Sequence, residues 1–187
     1  MDDTTDPRVT ALLQRVRAGD EGAGDALFDL VHAELRGLAR AAFQGQAEGH
    51  TLQPTAILNE AWMKMAGHLG SLVDRRHFFV VASRAMRQVL TDYARGSARE
   101  KRGGSKRPVT LNDELFGFGD RGLDWIALND SLEELASLDE RQARVVELRF
   151  FGALTIEETA QALGVSHTTV ETDWAMARAW LRRELAG

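Results

Sequence analysis

The chain has 187 residues, a formal net charge of −5, 44% hydrophobic and 27% charged residues, and no cysteine. That length allows one medium domain or two small ones with a real core, and the balance is that of a soluble globular protein. The missing cysteine excludes a disulfide framework, a thiolate zinc site and a cysteine nucleophile.

The apolar spacing is helical nearly throughout. A first pattern runs from Val9 to about Ala18. A second runs from Ala23 to about Phe43, where Leu27, Leu30, Val31, Leu35, Leu38 and Ala42 recur at three- and four-residue steps. A third starts near Pro54, a residue suited to the first turn, and carries Ile57, Leu58, Ala61, Trp62 and Met65. A fourth spans about Arg76 to Arg99, with Phe78, Ala82, Ala85, Met86, Val89 and Tyr93 as its stripe.

Periodicity then collapses. The stretch RGGSKRPVTLNDELFGFGDRG, Arg102 to Gly122, is broken by Gly103, Gly104, Pro108, Gly117, Gly119 and Gly122 and reads as a linker. Phe116, Phe118 and the nearby Trp125 are placed to dock on a partner surface. GGSKR lacks the Gly-Lys-Ser/Thr of a phosphate-binding loop. Helical signals return with Ser131 and Glu134 as a capping box before Leu132, Leu135 and Leu138. DERQARVVELRFFG forms the next helix, closed by Gly152, and Thr155 with Glu158 gives another capping box. The expected architecture is all-α: two small helical domains, 5–98 and 129–186, joined by a flexible linker over 99–128.

No apolar run approaches the roughly 20 residues that span a bilayer. The acidic start MDDTTDPRV is wrong for a signal peptide. No membrane association is expected, and the expected location is cytoplasmic. A net charge of −5 argues against a general nucleic-acid binder, but the charge is segregated. Residues 84–107 hold eight Lys/Arg against Asp92 and Glu100, a net of +6. Residues 111–160 hold four Arg against twelve Asp/Glu, a net of −8. One block suits phosphate and the next repels it.

The C-terminal stretch reads as helix, turn, helix. Thr155–Leu163 is the first helix, Gly164–Ser166 the turn, and His167 onward the second. Ala160 supplies a small residue where the helices cross, and Gly164 tolerates positive φ. Val170, Trp174, Ala177 and Leu181 supply the inner face. In a DNA-binding unit of this kind the leading residues of the second helix enter the major groove. Here these are His167, Thr168, Glu171 and Thr172, with Thr169 near the backbone. Helix-start N–H groups and hydroxyls suit phosphate oxygens, and Thr methyls suit thymine. Glu171 can accept from cytosine N4, and Asp173 is expected to turn toward the protein. Arg178, Arg182 and Arg183 are left for backbone contacts.

Taken with LQPTAILNEAWMKM (52–65) and RRHFFVVASRAMRQVLTDYARGSAREKRGG (75–104), the stretch LDERQARVVELRFFGALTIEETAQALGVSHTTVETDWAMARAWLRREL (138–185) resembles the extracytoplasmic-function (ECF) sigma factors of bacterial RNA polymerase. The likeness covers nearly the whole chain except the linker centre. It implies core RNA polymerase and promoter DNA as partners, and no cofactor. The first domain would bind the clamp helices of the polymerase and capture one strand of the −10 element. The second would read the −35 element as duplex, with the linker running toward the RNA exit path. Clamp binding would fall to Leu58, Asn59, Glu60, Trp62 and Met63. QPTAI stands where many relatives carry more acid, which weakens the electrostatic part of that contact.

Strand capture would fall to Arg84, Arg87, Gln88, Thr91, Asp92 and Arg95, with Gln88 at a base-reading position and Arg99, Lys101 and Arg102 meeting upstream duplex. At the −35 element, many relatives place basic residues where Glu171 and Asp173 stand, so weak duplex binding by this domain alone is expected. Tethering to polymerase compensates for low affinity. Whether an anti-sigma factor holds the two domains is open at the sequence level.

Three other readings compete. A stand-alone helix-turn-helix regulator would dimerise and bind DNA without polymerase. A protein-interaction module would bind a partner with no promoter effect. A metal-dependent hydrolase would use His32, His50, His68, His77 and His167, but no His pair has the i, i+4 spacing with an intervening Glu, and there is no nucleophile motif. No enzyme activity and no metal are expected.

Overall fold

The computed structural model describes residues 7–32, 54–100, 125–152 and 154–186, and all regular structure among them is helical. Helix α1 (Pro7–Arg17) opens on proline, whose missing N–H is no loss in a first turn, and buries Val9 and Leu13 four residues apart. The chain reverses through Gly19 at φ 84°, a conformation open to glycine without Cβ strain. It enters α2, described over 23–32, where Ala23, Leu27 and Val31 are buried at four-residue steps. The expected continuation through Leu35, Leu38 and Ala42 lies outside the described residues. Helix α3 (Pro54–Ala66) inserts Ile57, Leu58, Ala61 and Met65.

A 3-10 turn at Leu69–Ser71 leads to α4 (Arg75–Glu100), whose first turn is capped by Asp74 Oδ1 accepting from the His77 N–H at 2.8 Å. The turn is tied back to α1, because Arg17 donates to the Leu72 carbonyl at 2.9 Å. Along α4, Phe78, Ala82, Met86 and Val89 are buried as the spacing predicts. So are Phe79, Ser83, Leu90, Thr91 and Ala94, which lie on a second arc. A helix buried on two sides needs a second body to cover it.

That body is the C-terminal lobe. Helix α5 (Trp125–Leu138) buries Trp125, Leu128, Leu132 and Leu135. It begins at Trp125, within the span expected to be linker, so Ser131 and Glu134 lie inside it and form no capping box. The Ser131 reading fails because the α5 period starts two turns earlier than the polar pair suggested. Helix α6 (Glu140–Val146) is instead capped by Asp139, whose side chain accepts from the Gln142 N–H at 3.0 Å. It widens into a π turn at Glu147–Phe151 that Gly152 closes, with the Gly152 N–H reaching the Glu147 carbonyl at 3.3 Å. A Cβ at Gly152 would lie 2.7 Å from the Leu148 carbonyl oxygen and 3.4 Å from Ser83 Cβ, so this turn is pressed against α4.

Helix α7 (Ile156–Leu163) carries the expected Thr155/Glu158 capping box, with both reciprocal bonds present. Gly164 ends it at φ 68°, and α8 (His167–Ala186) follows. The buried apolar side chains of both lobes form one continuous cluster. Each fully buried Leu or Ile in it contributes about 1.5–3 kcal/mol relative to exposure.

Candidate nucleic-acid interface

Three surfaces carry the residues singled out from sequence. On α3, Leu58 is buried in the core, and Trp62 is half-buried in a tilted contact with Phe28 at 5.0 Å. Asn59, Glu60 and Met63 face outward, Met63 with 73% of its surface exposed. An exposed thioether beside a carboxylate suits protein contact, since Met adapts to irregular apolar partners. Lys64 pairs with Asp92 at 3.0 Å, tying this helix to the middle of α4.

On α4 the candidate strand-reading residues separate into two groups. Arg84, Gln88, Asp92 and Arg95 are exposed. Arg87 is half-buried and Thr91 is buried, both against the C-terminal lobe. The Arg87 guanidinium donates to Asn129 Oδ1 and to the Asn129 carbonyl, each at 3.2 Å, and to Glu147 Oε1 at 3.4 Å. Arg84 Nε lies 3.5 Å from the other oxygen of Glu147. Thr91 Oγ1 lies 3.1 Å from Asn129 Oδ1 and accepts from Trp125 Nε1–H at 3.2 Å. The side chain of Arg99, and Lys101 and Arg102, lie outside the described residues, as do Phe116 and Phe118. Trp125 does dock, but on this chain: it is fully buried, edge-on to Phe151 at 5.3 Å.

On α8 the leading end is open. Ser166 caps it, accepting from the Thr169 N–H at 3.1 Å and meeting the Thr169 hydroxyl at 2.7 Å. Thr169 is therefore oriented, while His167, Thr168, Glu171 and Thr172 are exposed along one side of the first two turns. Thr172 Oγ1 donates back to the Thr168 carbonyl at 2.9 Å. His167 Nδ1 and Glu171 Oε1 are 3.7 Å apart.

Asp173 turns inward as expected. It is 3% exposed and receives two bonds from Arg141 of α6, at 2.6 and 3.1 Å. The carboxylate in turn holds the Arg141 guanidinium pKa above its ordinary value, first through the hydrogen bond and then through charge. Sequence reasoning did not single out Arg141. Its signal was available only as an Arg on a neighbouring helix of unknown register. Trp174, one residue on, is flanked by the guanidinium groups of Arg149 and Arg178, 5.0 and 5.7 Å from the ring centroid. Burial, followed by the charge of Arg178, pushes the Arg149 pKa down. Two cations thus sit on one aromatic ring behind the leading end of α8.

Among the described residues no group of three His, Asp or Glu is placed to hold a metal ion, and no helix is long and apolar enough to cross a membrane.

A capped first helix, a left-handed glycine turn and a second helix with an open polar leading end define a helix-turn-helix DNA reader, here joined to a helical lobe with an arginine-bearing long helix. A family model described as ECF sigma factor matches residues 6–187. The chain is also 32% identical over 130 residues to the RNA polymerase sigma-E factor of Streptomyces avermitilis, a match covering 69% of each chain. The chain belongs to the ECF sigma factor family, whose members bind RNA polymerase and promoter DNA to direct transcription initiation.

Proposed function

We propose that the three surfaces divide the work of initiation. The outward face of α3, with Asn59, Glu60 and Met63 supported by Leu58 and Trp62, binds core polymerase. The α4 residues Arg84, Arg87, Gln88, Thr91, Asp92 and Arg95 take the −10 strand, the arginines following phosphate and Gln88 offering donor and acceptor to an unstacked base. The leading end of α8, with His167, Thr168, Thr169, Glu171 and Thr172, reads the −35 duplex, and Arg178 contacts its backbone. The lobes follow the same division, the first for polymerase and −10 binding and the second, which opens with α5 at Trp125, for −35 recognition. The reading assigns no chemistry of its own to the chain and places it in the cytoplasm, where the polymerase works.

The observation that carries this reading is the open, capped start of α8 after a Gly164 turn at φ 68°. In vitro transcription from a genomic fragment library, with core polymerase alone and with this chain added, tests it. Chain-dependent transcripts sharing a common upstream sequence are expected. A library giving identical transcripts with and without the chain rules the reading out. For α4, Gln88→Ala should lower open-complex formation more than polymerase binding; equal loss of both removes Gln88 from base reading.

A further inference from the structure

One residue on the exposed arc of α4 does not suit a nucleic-acid strand. Arg84, Gln88 and Arg95 offer positive charge or a donor, whereas Asp92, one turn after Gln88, brings a carboxylate that repels phosphate. It is not turned away, because its side chain is 53% exposed. Its counter-charge comes from another helix: Lys64 of α3 donates to Asp92 Oδ2 at 3.0 Å. Asp92 Oδ1 makes no hydrogen bond among the described residues.

Asp173 of α8 shows how a carboxylate with only a structural task is held in this protein. It is buried, and Arg141 takes both of its oxygens, at 2.6 and 3.1 Å. Asp92 is bonded through one oxygen and open at the other. A pair this exposed adds little to folding, so its place on the strand-reading arc calls for a role outside stability. Lys64 also has an acid on its own helix, Glu60, four residues earlier and in the favoured order for a surface pair. It reaches across to α4 instead.

We propose that Lys64 is a positioning residue of the −10 strand site, holding Asp92 so that its free oxygen accepts from the exocyclic amino group of an unstacked base. The inference deepens the assignment of α4 to strand capture and rests on it. A carboxylate only accepts, so it favours adenine, cytosine or guanine, which carry an amino group, over thymine, which presents carbonyl oxygens on either side of its ring N–H. The Lys64 ammonium cancels the repulsion that Asp92 would otherwise exert on the phosphates of the same strand. Gln88 lies one turn away, about 6 Å along the helix axis, so the two side chains meet different parts of the strand.

The test uses the full chain bound to core polymerase and single-stranded oligonucleotides carrying the −10 strand of a promoter recovered from the fragment library. Each position is varied in turn, and affinity is read by fluorescence anisotropy. At one position thymine should bind about fivefold more weakly than an amino-bearing base, the lower end of what a good base contact supplies. Asp92→Ala should remove that penalty. Lys64→Met should weaken every oligonucleotide by about two- to fivefold at low salt, with the loss fading as salt rises. The double variant Lys64→Met/Asp92→Ala should regain this affinity but not the base preference, and Lys64→Arg should keep both. If Lys64→Met folds poorly by circular dichroism, Lys64→Gln, which also removes the charge, takes its place.

Unchanged strand affinity in Lys64→Met would overturn the positioning role. So would a loss that Asp92→Ala does not relieve, which would make Lys64 a direct phosphate contact, or a loss of polymerase binding, which would place it on the polymerase face of α3. A thymine penalty that survives Asp92→Ala would overturn the base reading. Should Gln88→Ala weaken strand binding while the Lys64 and Asp92 variants do not, only this inference falls. If none of them changes strand binding, the assignment of α4 to strand capture falls with it.

Discussion

Helix α4 and helix α8 each carry charge that conflicts with its surroundings, and each conflict is resolved by a partner from another helix. On α4, arginines suited to phosphate are held by Glu147 of the other lobe. On α8, a carboxylate that would repel phosphate is held by Arg141 of its own lobe. The first neutralisation depends on the contact between the two lobes. The second travels with the helix-turn-helix wherever it goes. Neutralising a charge across a lobe boundary ties it to the docking of two helices distant in sequence, whereas neutralising it within a lobe makes it a property of that lobe.

The largest effect should come from the residue where the two regions join. Trp125→Ala removes a fully buried ring from Phe151 and the donor to Thr91, and should destabilise the chain by about 3–5 kcal/mol in denaturant unfolding. A loss under about 1 kcal/mol would show that Trp125 is not part of the folded core in solution. Gly152→Ala comes next, because its Cβ would meet the Leu148 carbonyl at 2.7 Å. It should cost about 1–3 kcal/mol as overpacking, read as a lowered unfolding midpoint; an unchanged midpoint would show that the turn relaxes freely.

Asp173→Asn sharpens the α8 half of the comparison. Its partner Arg141 is about half exposed, so the loss in denaturant unfolding should be modest, smaller than that of either core substitution. A loss as large as that of Trp125→Ala would show that the pair, and not the apolar core around it, holds α6 on α8. Thr155→Ala, which breaks the capping box, should cost about 1 kcal/mol by the same measurement. Smallest is Glu171→Gln, which removes an exposed carboxylate from the leading end of α8. It should raise duplex affinity of the polymerase-bound chain by less than about fivefold, with the gain fading as salt rises. An unchanged affinity at low salt would place Glu171 away from the backbone.

Much of this was legible in the chain itself. The helix-turn-helix was readable because its signals are local: Thr155 and Glu158 are three residues apart, Gly164 must permit positive φ, and the apolar residues of α8 repeat at helical steps. The inward turn of Asp173 was also legible, because it follows the helical phase of Trp174 and Ala177 on the packed side. The Ser131 capping box was misread, since a polar pair inside a helix looks the same as one at its start until Trp125 is known to open it.

Sequence by itself determined the helices, their inner faces and the charge carried by each block, because these depend on neighbours within about one or two turns. Only the tertiary structure decided that α4 is buried on two arcs, that Glu147 and Asn129 lie on Arg87, and that Arg141 meets Asp173. Those contacts join residues 32 to 60 positions apart. Which acid meets which arginine at such a distance depends on how whole helices dock, and no local pattern along the chain encodes that geometry.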